Sequence, residues 1–290
     1  MEVDCAGCAG CCIDWRPLAA DPSEHERRGD QPPLDNRYNL VPLTRDDVKA
    51  FVDAGYTDVM RPRLWRAAGE RPHVTIDGFD VVAIGERPLF MLGLRHVPKP
   101  VGPFDADPRW LSACVFLDPT TLQCRIHDEA IYPRTCATYP GHHLVLDREP
   151  ECVRVERETG RQRLLDETPP ADVPPPPLGA QSLGATVFLH PSADRLAAVI
   201  DRLARDELTA DDRREFVAVA LAQSPGMPAV NEERYRSALA RLGDATSWVS
   251  PAGADWRAAA SNRSPEPGLA ATFEEARGAP HTQGWPDDPE

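Results

Sequence analysis

The feature that most restricts this chain is the stretch CAGCAGCC at positions 5–12. Four cysteines among small residues leave almost nothing there to pack, so this arm has no core of its own and must be held by something else. Cys5, Cys8 and Cys11 repeat at C-x2-C-x2-C. That spacing lets successive sulfurs turn to one side of a tight bend and grip one ion or cluster. The Ala and Gly spacers permit the φ angles such a bend needs and let backbone N–H groups approach sulfur. Cys12 is the odd member. Neighbouring residues diverge on a helix and point to opposite faces on a strand. Cys11 and Cys12 are therefore not expected to serve one site from the same side, and Cys12 is expected to face a second metal or a site completed by distant cysteines.

The distant cysteines are Cys114, Cys124, Cys136 and Cys152. Their gaps are too long for a single knuckle but suit strand ends gathered around one point. Eight thiols make two four-sulfur sites, or one site with the remainder structural or redox-active. A metal joining both groups would staple the amino-terminal arm to the rest, so that binding energy becomes folding energy. Thiolates suit zinc and iron–sulfur clusters equally well. The C-x2-C-x2-C run tips the choice toward a cluster, and two complete four-cysteine sites would tip it toward zinc. His127, His142 and His143 lie among the later cysteines as further candidate ligands. Arg16, Arg125 and Arg134 lie near enough in sequence to offset thiolate charge.

Two alternatives to ligation are buried hydrophobic cysteines and a disulfide framework. The first does not suit four cysteines within eight mostly small residues. The second suits an oxidising compartment. The chain shows neither a basic segment followed by an apolar stretch of signal-peptide type nor the roughly 20 apolar residues that span a bilayer. A cytoplasmic protein with no membrane partner is expected, where clustered cysteines read as ligands or redox groups. Charge points the same way on partners. The 32 basic residues, only two of them lysines (Lys49 and Lys99), face 46 acidic ones for a net charge of −14. No basic stripe is available to displace counterions from phosphates, so nucleic acid is not an expected partner.

Local patterns give an α+β protein with short hairpins and helices. Thr44 with Asp47 three residues on predicts a capped helix whose apolar face is Val48, Phe51 and Val52, stopped at Gly55. A second helical piece is expected over 58–68, interrupted by Pro62. The pair Asp77-Gly78 between apolar runs predicts a hairpin. ACVFLDPTTLQCRIH reads as another, turning at Asp118-Pro119 and placing Cys114 and Cys124 on paired arms. HHLVLD and CVRVERE read as two short strands. The proline-rich stretch 166–181 reads as a linker. It separates a cysteine-bearing domain, residues 1–165, from a helical segment, 182–243. That segment has an apolar stripe at Leu196, Val199, Ile200 and Leu203 and helix caps at Thr209 and Asn231. Residues 244–290 are expected to be a disordered tail.

CAGCAGCC resembles the CxxCxxCC signature of the YkgJ-like cysteine-cluster family, described as zinc- or iron-chelating. CVFLDPTTLQCRIH is similar to that family's second cysteine stretch and YPRTCATYP to its third, with VPLTRDDVKAFVDAG similar to the helix after the first. The resemblance spans residues 1–155. One departure is Tyr132, standing before Pro133 where the family usually has arginine. The family includes relatives of flagellin lysine N-methylase, which is associated with an iron–sulfur cluster and methyl transfer from S-adenosylmethionine. The resemblance therefore implies metal binding first. An iron–sulfur enzyme, methylase-like or oxidoreductase, is one alternative, and a structural zinc module whose helical segment binds a protein partner is the other. The sequence has no Gly-rich strand-to-helix loop of the dinucleotide kind and assigns no catalytic acid or base.

Overall fold

A computed structural model describes residues 6–19, 32–127, 129–139, 152, 178, 185–224, 227–243 and 247–285. The chain is α+β. Helix α1 (Arg45–Asp53) has the predicted capping box: Thr44 Oγ1 accepts from the Asp47 N–H at 3.1 Å, and Asp47 Oδ2 accepts from the Thr44 N–H at 2.8 Å. It buries Val48 and Phe51 and ends at Gly55, whose φ of +82° glycine adopts without strain.

The expected second helical piece is instead strand β1 (Met60–Arg63), with all four residues buried. Pro62 lacks an N–H and breaks a helix, and β4 (Arg87–Leu94) is there to pair with in the register Met60 to Leu94. Strands β2 (His73–Ile76) and β3 (Phe79–Ile84) form the predicted hairpin. Asp77 and Gly78 both have positive φ, as a two-residue turn matched to strand twist requires. Strand β4 lies inside the sheet β1-β4-β3-β2 and also pairs with β7 (Val187–Leu189). A second, two-stranded sheet joins β5 (His96–Val101) to β6 (Arg109–Cys114), with His96 opposite Cys114.

Residues 192–206 do not form one helix. A 3-10 turn at Asp194–Leu196 is followed by Ala198 in the left-handed region, whose N–H is taken by the Asp77 carboxylate, and then by α3 (Val199–Ala204). The apolar stripe survives the break: Leu196, Val199, Ile200 and Leu203 are all buried. Helix α4 (Ala210–Ala222) starts from the Thr209 capping box, and α5 (Glu232–Leu242) from the Asn231 cap.

The carboxyl-terminal part corrects the expectation of a disordered tail over 244–290. Helix α6 (Val249–Asn262) buries Trp256 completely, and α7 (Ala270–Phe273) follows. Small residues carry the packing. A Cβ at Gly253 would stand 3.1 Å from Val97 Cγ1, so glycine lets α6 lie close against β5. A buried ionic seam completes the contact: Glu274 accepts from Lys99 Nζ at 2.6 Å, Arg125 Nε at 2.8 Å and Trp256 Nε1 at 2.7 Å.

One hydrophobic cluster runs from Ala9 and Ile13 through α1, the sheets and α4 to Ala270 and Ala279. The cysteine-bearing half and the carboxyl-terminal helices thus share a core. The linker, apart from Leu178, and the two strands expected after residue 140, apart from Cys152, lie outside the described residues. Among the described residues no helix is long and apolar enough to cross a membrane.

Candidate metal centre

The amino-terminal arm docks by its backbone. Ile13, fully buried, bridges Ala113 of β6, and the Asp14 N–H donates to Ser112 O at 2.7 Å. Asn39 Nδ2 donates to Gly10 O and Ile13 O at 3.0 and 2.8 Å. The Phe104 N–H donates to Gly7 O at 2.7 Å. Gly7 and Ala9 both take positive φ, which turns the chain into a 3-10 turn at Gly10–Cys12.

 Ala9 is the N-cap of that turn, at φ 51°.

The turn brings two adjacent sulfurs together: Cys11 Sγ and Cys12 Sγ are 3.8 Å apart. The expectation that these neighbours face apart is therefore corrected. Two sulfurs on one tetrahedral zinc, each about 2.3 Å from the metal, stand roughly 3.8 Å apart, so this pair already has the spacing of a ligand edge.

Cys114 ends β6 and is buried. The Leu117 N–H donates to the Cys114 carbonyl at 3.0 Å, and the His127 N–H to the Cys124 carbonyl at 3.2 Å. Leu117 and Cys124 form a bridge closed by the Asp118 turn, with the Asp118 N–H donating to Gln123 O at 2.8 Å. The expected hairpin is thus present in reduced form. Cys136 lies on the short helix α2 (Arg134–Thr138). That helix is anchored by Thr135 Oγ1 to Pro42 O at 2.7 Å and by the Arg134 N–H to Asp47 Oδ1 at 3.2 Å.

The electrostatics show which sulfurs are neighbours. The sulfur–sulfur contact of Cys11 and Cys12, in which either thiol can donate, lowers Cys11 below the ordinary thiol value. Cys12 is raised well above the ordinary thiol value by that same bond, by burial and by the charges of Cys11, Cys114 and Cys124. Burial first, and then neighbouring thiolates, push Cys114 to about 11 and Cys124 to about 12. Cys136 is raised by burial and by Cys114, Cys11 and Cys124. Five sulfurs from both cysteine groups therefore act on one another. Cys5 lies outside the described residues. Cys8 is half-buried on the turn, its sulfur 3.4 Å from where a Cβ on Gly10 would be. Cys152 is half-buried and is not among the five that influence one another.

Among the described residues, no three or more His, Cys, Asp or Glu side chains are arranged as a cage for an ion. The assembly is a loose one, with the donor chemistry of a thiophilic metal and one sulfur pair at ligand spacing. His142 and His143 lie outside the described residues. His127 packs against Tyr132 with ring centroids 4.9 Å apart.

Of the three arginines expected to balance thiolate charge, Arg16 is taken by Asp14 at 2.6 Å and Arg125 by Glu274 and Asp118. Arg134 reaches the site's surroundings through its backbone, on Asp47. The cation that does act on Cys114 and Cys124 is Lys99, fully buried on β5. Sequence reasoning missed it, although a lone lysine inside an apolar strand was the available signal. It also passed over Tyr132 as a departure from a motif. The Tyr132 phenol is raised far above its usual value by burial and then by Cys136, Cys124, Cys12 and Cys11, which puts its ring beside the sulfurs.

Set against known proteins, the chain matches over residues 1–287 a family of unknown function, DUF7531, and it belongs to that family. No curated protein and no solved structure matches it.

Proposed function

We propose that this protein binds zinc, iron or an iron–sulfur cluster through thiolates drawn from both cysteine groups. The observation that supports this reading is the shared electrostatic environment of Cys11, Cys12, Cys114, Cys124 and Cys136, which lie up to 125 positions apart (136 − 11). Gathering like-charging groups is unfavourable unless they stay protonated or a cation joins them. Metal binding would release their protons and tie the arm to the β6 end of the core. Cys5, Cys8 and Cys152 are the further sulfurs available to complete a site. The motif resemblance to the YkgJ-like family supports the same choice of ligand. A zinc held by four thiolates would act as a structural clamp, and an iron–sulfur cluster would supply electron transfer.

The apolar faces of α3, α4 and α5 are buried in the common core. A helical segment held out for a partner protein gains no support from that packing.

The test is purification without air, followed by an absorption spectrum and a metal count on one sample. Visible absorption with iron identifies a cluster, and a colourless protein with stoichiometric zinc identifies a zinc site. Cys114→Ser and Cys136→Ser should each lose at least half of the bound metal. Folded wild-type protein containing neither metal, and taking up neither on reconstitution, would end the proposal.

A further inference from the structure

We propose that a second site, containing none of the cysteines, binds a small doubly charged oxyanion of the phosphate class. It is a cavity of about 250 Å³ between the β1–β5 region and helices α4 and α6. Pockets for drug-sized ligands begin near 300 Å³, so this one suits a free ion or a small ester. Arg61 enters from β1, Arg95 from the junction of β4 and β5, Arg213 from α4 and Arg257 from α6. Against these four guanidiniums the lining offers two carboxylates, Asp206 and Glu207. The excess of two positive charges matches a phosphate dianion better than a monocarboxylate.

Unsatisfied polar atoms belong to residues of the same lining. Arg61 gives Nη1 to Asp206 Oδ1 at 2.9 Å, but its Nε and Nη2 are buried with no partner among the described residues. Both ring nitrogens of His96, which also lines the cavity, are in the same condition. Each of these residues is only 5% exposed. Buried polar groups are normally paired, and a guanidinium fork fits two oxygens of a phosphate. The neighbouring Arg63 shows what a structural arginine does here. Its Nε and Nη2 grip Asp35 at 3.0 and 2.8 Å, one carboxylate for one guanidinium. The cavity arginines lack that matching. Burial and mutual repulsion accordingly pull Arg61 down to about 10 and Arg95 to about 9. An anion between them would relieve both effects.

The experiment is titration of the full-length protein with inorganic phosphate, pyrophosphate and glycerol phosphate at constant ionic strength set with chloride, read by calorimetry and by thermal unfolding. Saturable binding with a rise in Tm, absent with chloride alone, is expected for at least one of the three. A monoester binding tighter than inorganic phosphate assigns the site to an esterified ligand, and the reverse order assigns it to the free ion. Arg257→Gln should bind at least tenfold more weakly while its unliganded Tm stays level or rises, because a like charge has gone. Arg213→Gln should behave alike, and the exposed Arg234→Gln should match wild type. No saturable binding of any of the three anions, or equal binding by wild type and both cavity variants, would overturn the proposal. None of these readings depends on metal content.

Discussion

The cysteine centre and the arginine cavity meet on one strand pair, where His96 of β5 faces Cys114 of β6, yet they handle crowded charge in opposite ways. A thiol can stay neutral by keeping its proton, and Cys114, Cys124 and Cys136 are all pushed toward that state. A guanidinium has no such exit near neutral pH, even with Arg95 lowered to about 9. The proposed centre, without a cation, therefore rests nearly uncharged, whereas the cavity, without an anion, carries an excess of positive charge. Each region is incomplete, but only the second is electrostatically unfavourable to the folded chain at pH 7.

The seam joining the two regions offers the largest test. Glu274 is fully buried and answers both Lys99, beside the thiols, and Arg125, while α6 of the same carboxyl-terminal part brings Arg257 to the cavity. Glu274→Gln takes the carboxylate from buried Lys99 and leaves Arg125 with Asp118. Breaking a buried pair in this way costs about 3–5 kcal/mol. Because the core is shared, chemical denaturation followed by tryptophan fluorescence and by far-UV circular dichroism should give one coincident transition shifted to lower denaturant. Two separate transitions would show that centre and cavity stand on independent units.

The acid and alkaline limits should separate the two regions next. His96 is lowered to about 3 by burial and then by Arg37, Arg61 and Arg63, opposed by Asp14. Arg95, Arg213 and Arg257, with Asp206 and Glu207, line the cavity beside it. An unfolded histidine takes a proton near 6.5, so the folded state is fully favoured above that pH and loses stability as pH falls toward 3. Asp35 adds to the loss further down. Burial would raise its carboxyl, but the charge and hydrogen bonds of Arg63 hold it below the usual range. Its contribution is present above about pH 4 and fades below. The thiols run the other way. Burial pushes the Cys114 thiol up to about 11, so its contribution is whole below the ordinary thiol value of about 8.5 and is lost as pH rises through 11. Unfolding free energies of metal-free protein across this range should therefore fall at both ends. His96→Gln should flatten the acid limb, and loading the centre with zinc should flatten the alkaline one. An acid limb unchanged in His96→Gln would mean that the histidine is not held neutral by its surroundings.

The two regions also differ in how far the sequence reveals them. A cysteine run such as CAGCAGCC is local, and its spacing survives whatever the rest of the chain does. Capping at Thr44, Thr209 and Asn231 and the turn at Asp77-Gly78 are equally local, and each is present. The pairing of Cys11 with Cys12 depended on a left-handed Ala9, which no spacing rule contains. The cavity draws arginines from positions 61, 95, 213 and 257, and only the tertiary fold brings such residues together. Each one, taken singly, reads as a solvated surface charge. Helix α6 was hidden for a different reason. Its buried face is Val249, Ala252, Gly253, Trp256 and Ala259, mostly residues too small to register as an apolar stripe, and one tryptophan carries much of the bulk.

The smallest effects give the finest comparison. Thr44→Ala and Thr209→Ala each remove a capping-box hydroxyl and should each cost about 1 kcal/mol of stability. Their consequences for the sites should differ. Asp47, the partner of Thr44, also accepts the backbone N–H that begins the Cys136 helix, through Oδ1 at 3.2 Å. Freed from Thr44 Oγ1, that carboxylate has less to hold it, and the helix carrying Cys136 loses definition. Asp212, the partner of Thr209, stays gripped by Arg202 Nε and Nη2 at 2.8 and 2.6 Å. Zinc competition titrations should then show Thr44→Ala weakened by up to about fivefold, the equivalent of roughly 1 kcal/mol, with Thr209→Ala unchanged. Equal zinc affinities in the two variants would place the Cys136 helix outside the centre, and with it the claim that α1 helps to set the positions of the sulfurs.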